Sequence, residues 1–127
     1  MALIIVIDDS PLMRPALRDL LQLDGHTVLT TGRTDEALHV LDDIVGVDLV
    51  IADSVMLEMD GLLLARHLRA DAKYKNVPLL MLFVGDGQYD NQRMLEAGAD
   101  DFLVPPITVD HLKRTVKKML NGTQAGL

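Results

Sequence analysis

Short unbroken apolar runs alternate along this chain with longer stretches in which apolar residues recur every three or four positions. Leu3 to Ile7, Val28 to Leu29, Leu49 to Ala52, Leu79 to Phe83 and Phe102 to Val104 are the runs, and they predict strands covered on both faces. The intervening stretches predict amphipathic helices. In the first, Ser10 is placed to cap with Pro11 at the first helical position, Leu12, Met13, Ala16, Leu17, Leu20 and Leu21 supply the spacing, and Gly25 closes it. A second is expected from Thr34, burying Ala37, Leu38, Leu41, Ile44 and Val45 before Gly46.

A third helix should follow Asp60-Gly61 with Leu62, Ala65 and Leu68 inward, and Asp60 reads as its cap rather than as a metal ligand. A fourth, the weakest in pattern, should run from about Gln88 to Ala97 and end at Gly98. The fifth should start at Thr108 and bury Val109, Leu112, Val116, Met119 and Leu120, turning His111, Lys113, Arg114, Lys117 and Lys118 to water. Five βα units of this kind imply an α/β fold: a flavodoxin-like (βα)₅ three-layer sandwich, its parallel sheet ordered 2-1-3-4-5 through right-handed crossovers. Residues 1–121 are expected to form this one domain, with 122–127 a flexible tail or the start of a linker.

At 127 residues there is no room for a second domain. No apolar run is long enough for a bilayer and no signal-peptide start is present, so a soluble, cytoplasmic protein is expected, without membrane contact. The absence of cysteine excludes disulfides, thiolate metal sites and thiol nucleophiles. Twelve basic against nineteen acidic side chains leave a net charge of −7, which disfavours direct nucleic acid binding.

The candidate chemistry is acidic. Asp8 and Asp9 directly follow the first apolar run, and Asp53 ends the third. In an open parallel sheet ligands bind beyond the carboxyl ends of the strands, so these three carboxylates should converge there and attract a hard cation. His26, His39, His67 and His111 lack ligand spacing or a paired nucleophile and read as ordinary histidines. Gly85-Asp86-Gly87 has no basic partner and reads as a turn.

With these residues in place the chain resembles, over essentially its whole length, the receiver domain of two-component response regulators, chemotaxis-regulator-like. The acidic pair Asp8-Asp9, the segment Asp53-Ser54-Val55-Met56-Leu57-Glu58-Met59-Asp60-Gly61, Pro78, Ala97-Gly98-Ala99 and Pro106 all fall at the family's intervals. The resemblance implies a phosphorelay signalling protein rather than an enzyme. Asp53 would accept a phosphoryl group from a histidine kinase or phosphotransfer protein. Asp9 and Asp53 would hold Mg²⁺ directly, Asp8 through water, and the Val55 main-chain carbonyl would complete the set. The helix 4, strand 5 and helix 5 face would contact an output partner or domain, or a second copy in a homodimer, with Tyr89, Arg93, His111, Lys113, Arg114, Lys117 and Lys118 as interface residues.

Two expected site residues are missing. Phe83 stands where the family carries a switch Thr or Ser, and Pro105 where it carries the phosphate-binding Lys. Three carboxylates and one Mg²⁺ then sum to about −1 with no lysine to cancel it, so phosphorylation should be harder than in a standard receiver. Arg14 is the nearest cation in sequence, and a compensating role for it is not expected. Phe102 stands at the family's aromatic switch position, where a bulky Phe83 should leave it locked. Val55 and Gly85 offer no polar side chain to assist water, so any acyl phosphate should be long-lived. The alternatives are a phosphorylation-independent interaction module, indicated by Phe83 and Pro105, and a Mg²⁺-dependent phosphohydrolase, which typically needs an acid two residues after the nucleophile, where Val55 stands.

Overall fold

The computed structural model describes residues 1–53, 61–83, 91–104 and 106–125. Its strands β1 (Leu3–Ile7), β2 (Thr27–Thr31), β3 (Leu49–Asp53), β4 (Leu79–Leu82) and β5 (Asp101–Leu103) alternate with helices α1 (Met13–Leu23), α2 (Thr34–Asp43), α3 (Gly61–Ala70), α4 (Asn91–Ala97) and α5 (Val109–Ala125). All strand pairings are parallel and the order is β2-β1-β3-β4-β5, the flavodoxin-like arrangement expected.

The unbroken apolar strands are explained by two cores. Ile5, Ile7, Val50, Ala52, Leu79, Met81 and Phe83 meet Ala37 and Leu41 of α2, Leu64, Ala65 and Leu68 of α3, and Met94 and Ala97 of α4. The alternate residues Ile4, Val6, Leu49, Ile51, Leu80 and Leu82 meet Leu17 and Leu21 of α1 and Leu112 and Val116 of α5. Successive side chains of a strand point to opposite faces, so helices on both sides require apolar residues at every position. Each fully buried Leu or Ile contributes about 1.5–3 kcal/mol against leaving it in water.

Several element ends differ from expectation. β2 spans five residues because it is an edge strand: Val28 is buried while Thr27 and Leu29 are exposed, so its apolar run is short. Ser10 does cap, its Oγ accepting the Met13 N–H at 3.0 Å, but Pro11 and Leu12 form a turn before α1 and Leu12 is exposed. Pro15 falls in the first turn of α1, where its missing N–H costs no helical bond. Helix α2 ends at Asp43; Ile44 is extended and still packs against the core, whereas Val45 is exposed.

Leu64, not anticipated, is a core residue of α3. β5 stops at Leu103, leaving Val104 exposed, and Val109 at the start of α5 is exposed rather than buried. Lys113 is half-buried rather than facing water, with Nζ 3.4 Å from Asp24 Oδ1. The chain stays helical through Gly122 to Ala125, beyond the expected domain end at 121. The expected turn Gly85-Asp86-Gly87 and the start of the fourth helix at Gln88 lie outside the described residues.

Candidate functional site

Register brings the acids together. Ile7 of β1 is level with Thr31 on β2 and with Ala52 on β3, so the next residues, Asp8 and Asp53, stand side by side at the carboxyl edge of the sheet. The Asp8 N–H continues the β1–β2 ladder to the Thr31 carbonyl at 3.0 Å, which fixes its backbone. Carboxylate oxygens of Asp8, Asp9 and Asp53 lie within 4.8 Å of one another. Asp8 and Asp53 are buried and Asp9 is half-buried.

One Asp8 oxygen, Oδ1, accepts the Ser10 N–H at 2.8 Å; the other, Oδ2, is buried without a hydrogen-bond partner among the described residues. Burial holds the Asp8 carboxyl above its ordinary range. The Ser10 N–H pulls it back, the charge of Asp9 raises it, and the charge of Arg14 lowers it. An unsatisfied buried oxygen beside two more carboxylates is costly unless a cation shares the space. Ligands of a Mg²⁺ at about 2.1 Å from the ion lie no more than roughly 4.2 Å apart, so a small contraction of this cluster would suffice. The donor set, all oxygen and mostly anionic, fits such an ion.

Arg14, the nearest cation in sequence and not expected to compensate, does reach this site. From the first turn of α1 its Nη1 donates to the Asp8 main-chain carbonyl at 3.0 Å. The guanidinium lies over Gly32, just past β2, and a Cβ there would stand 1.8 Å from Arg14 Nη1. A concavity of about 460 Å³ opens on this flank, lined by Asp9, Arg14, Thr30, Thr31, Gly32, Arg33 and Glu36.

At the far side of the sheet Phe83 is buried, its N–H donating to the Leu103 carbonyl at 2.9 Å. Its ring meets that of half-buried Phe102 edge-on, centroids 5.9 Å apart at 65°. The two rings are therefore in contact. Val55, Pro105 and Tyr89 lie outside the described residues.

The cations of α5 are elsewhere. Lys113, Arg114 and Lys117 border a larger concavity, about 530 Å³, with Asp24, His26 and Asp48. It lies at the amino ends of the strands, away from the three acids; Asp48 there accepts the Leu3 N–H at 2.8 Å. His111, Lys118 and, on α4, Arg93 are exposed. No helix among the described residues is long and apolar enough to cross a membrane.

The response regulator receiver domain model matches residues 4–117. The chain belongs to that family. This receiver domain is 34% identical over 124 residues to a chemotaxis protein CheY homologue of Campylobacter jejuni, covering 97% of this chain and 95% of that one. Among solved structures it is similar to the receiver domain of a signal transduction histidine kinase from Syntrophus aciditrophicus, with TM-score 0.85, 32% identity, and 96% and 92% of the two chains covered. It is also similar to a receiver domain protein from Clostridium thermocellum, with TM-score 0.90, 26% identity and both chains covered in full. It is thus a CheY-like receiver domain of two-component signalling, a class that typically binds Mg²⁺ and works with histidine kinases and output domains as a signalling protein.

Proposed function

We propose that this receiver domain accepts a phosphoryl group on Asp53 and reports its state by protein contact. The observation that carries the reading is the cluster of Asp8, Asp9 and Asp53 around an Asp8 Oδ2 without a hydrogen-bond partner among the described residues. An Asp53 carboxylate oxygen attacks the phosphorus of a histidine kinase or phosphotransfer protein, the donor's N–P bond breaks, and an acyl phosphate forms on Asp53. Asp9 and Asp53 directly, Asp8 through water, and the Val55 carbonyl are the residues that would hold Mg²⁺. When bound, the ion neutralises charge on the transferring phosphoryl group.

Phe83 and Pro105 make this an atypical receiver, in which no hydroxyl draws the β4 end toward the phosphoryl group and no lysine pairs with it. Of the interface candidates, Arg93, His111 and Lys118, with Tyr89, are left to an output surface of α4, β5 and α5 that would meet an acidic partner or a second copy of this −7 chain, whereas Lys113 pairs with Asp24 and borders, with Arg114 and Lys117, the concavity at the amino ends of the strands. The edge-on Phe83–Phe102 contact favours one second reading, a module that signals without phosphorylation, since it leaves Phe102 braced.

Intact mass after incubation with acetyl phosphate and Mg²⁺, beside Asp53→Asn, separates the two. A single phosphoryl adduct lost in the variant supports the first reading. No adduct, with Mg²⁺ binding measured separately, leaves the second.

A further inference from the structure

The acidic pocket lacks the family's lysine, yet one guanidinium is built against its opposite flank. Arg14 leaves the first turn of α1, crosses above Gly32 and donates through Nη1 to the Asp8 carbonyl at 3.0 Å. Half-buried, it borders the same concavity as Asp9. Three features hold it there. Ser10 anchors the start of α1 through its Oγ to Met13 N–H and its carbonyl to Arg14 N–H. The Asp8 N–H binds Thr31, which sets the chain just before Gly32. Gly32 itself supplies the space, since any Cβ would occupy the position of Nη1. Its φ lies outside the left-handed region, so the backbone there does not itself call for glycine; the guanidinium does.

We infer that Arg14 is a resident cation of this acidic pocket, whose flanking concavity Arg33 also borders, and a positioning residue that offsets the three carboxylates from the β2 side in place of the lysine absent from the β5 side. The inference rests on the phosphoryl-acceptor reading of Asp53. A fixed positive charge beside the pocket acts on its two occupants with opposite signs. It opposes Mg²⁺ and favours the incoming phosphoryl group. A purely structural role would weaken both together, because disordering the β1–α1 turn would scatter the acids.

The test is Mg²⁺ titration by calorimetry, together with the rate of Asp53 labelling by acetyl phosphate at saturating Mg²⁺, on wild type, Arg14→Met and Gly32→Ala. Removing the charge should tighten Mg²⁺ roughly three- to tenfold and slow labelling by a similar factor. Gly32→Ala, which displaces the flexible end of Arg14 and sets a Cβ 3.3 Å from the Asp8 main-chain oxygen, should move both quantities the same way by a smaller amount. Superimposable titrations and rates in wild type and Arg14→Met overturn the inference alone, as does a loss of both affinity and rate. A wild-type protein that takes up neither Mg²⁺ nor phosphoryl overturns the phosphoryl-acceptor reading, and this inference falls with it.

Discussion

Arg69 Nη2 lies 2.7 Å from Asp100 Oδ2, and that same oxygen accepts the Leu79 main-chain N–H at 2.8 Å. The rest of the guanidinium is equally occupied: Nε donates to the Gly98 carbonyl at 2.9 Å, and Nη1 to the carbonyls of Tyr74 at 2.7 Å and Val77 at 2.8 Å. One side chain at the end of α3 thus ties the following loop, the end of α4 and the start of β5 together. The ion pair alone would be worth little at this exposure; the carbonyls left unpaired matter more. Arg69→Met should cost about 2–3 kcal/mol in urea unfolding.

Gly98 is held beneath the same side chain, with φ of +127° and a would-be Cβ 2.3 Å from Arg69 Cγ. Gly98→Ala should therefore destabilise by about 1–3 kcal/mol, from left-handed strain and displacement of the clamp. In the double variant Arg69→Met/Gly98→Ala the loss should be less than additive, which a double-mutant cycle reads directly.

Tyr74 is buried and its O–H donates to the Leu41 carbonyl near the end of α2. Burial first, then the charges of Asp71 and Asp42, push its phenol up to about 12. The folded state keeps the proton over a range where the unfolded chain has lost it, so stability falls as pH rises from the ordinary tyrosine range near 10 toward 12. Tyr74→Phe should cost about 1 kcal/mol at neutral pH and flatten this alkaline slope, measured by urea unfolding at a series of pH values.

Asp8→Asn removes a buried charge whose Oδ2 has no hydrogen-bond partner among the described residues. Without metal the variant should be more stable than wild type by about 1–2 kcal/mol, because an amide is cheaper to bury than a carboxylate with one oxygen left unsatisfied. Adding Mg²⁺ should raise the melting temperature of wild type and leave that of the variant nearly unchanged.

Phe83→Thr places a hydroxyl at the proposed switch position but vacates most of a buried ring. A loss of about 2–4 kcal/mol is expected, together with averaging of the Phe102 ring signals in NMR once the edge-on contact is gone. A Phe102 that stays in one rotamer in this variant would show that Phe83 is not what holds it.

The sheet was legible because β1, β3 and β4 are apolar at nearly every position, and the acids because they follow such runs. β2 was underread because an edge strand exposes alternate residues, here Thr27 and Leu29. Apolar character also misled at Leu12, Val45 and Val109, which sit beyond or at helix ends where no neighbour covers them. Arg14 could not be placed from sequence. It meets Gly32 only because parallel register sets the end of β2 beside that of β1, and nothing local in either residue announces the contact. The partners of Arg69 and Tyr74 were hidden for the same reason, since main-chain carbonyls carry no side-chain signature.

Asp8 lies past the final β1 rung and Asp53 closes β3, so the clustered carboxylates stand at the rim of a scaffold whose cohesion comes from the residues beneath. Such a layout lets the reagents be exchanged while the chassis is kept. On the proposed reading, a switch hydroxyl can give way to Phe83 without unmaking the sheet. Signalling proteins with altered or silenced chemistry therefore lie within a few substitutions of active ones on the same foundation.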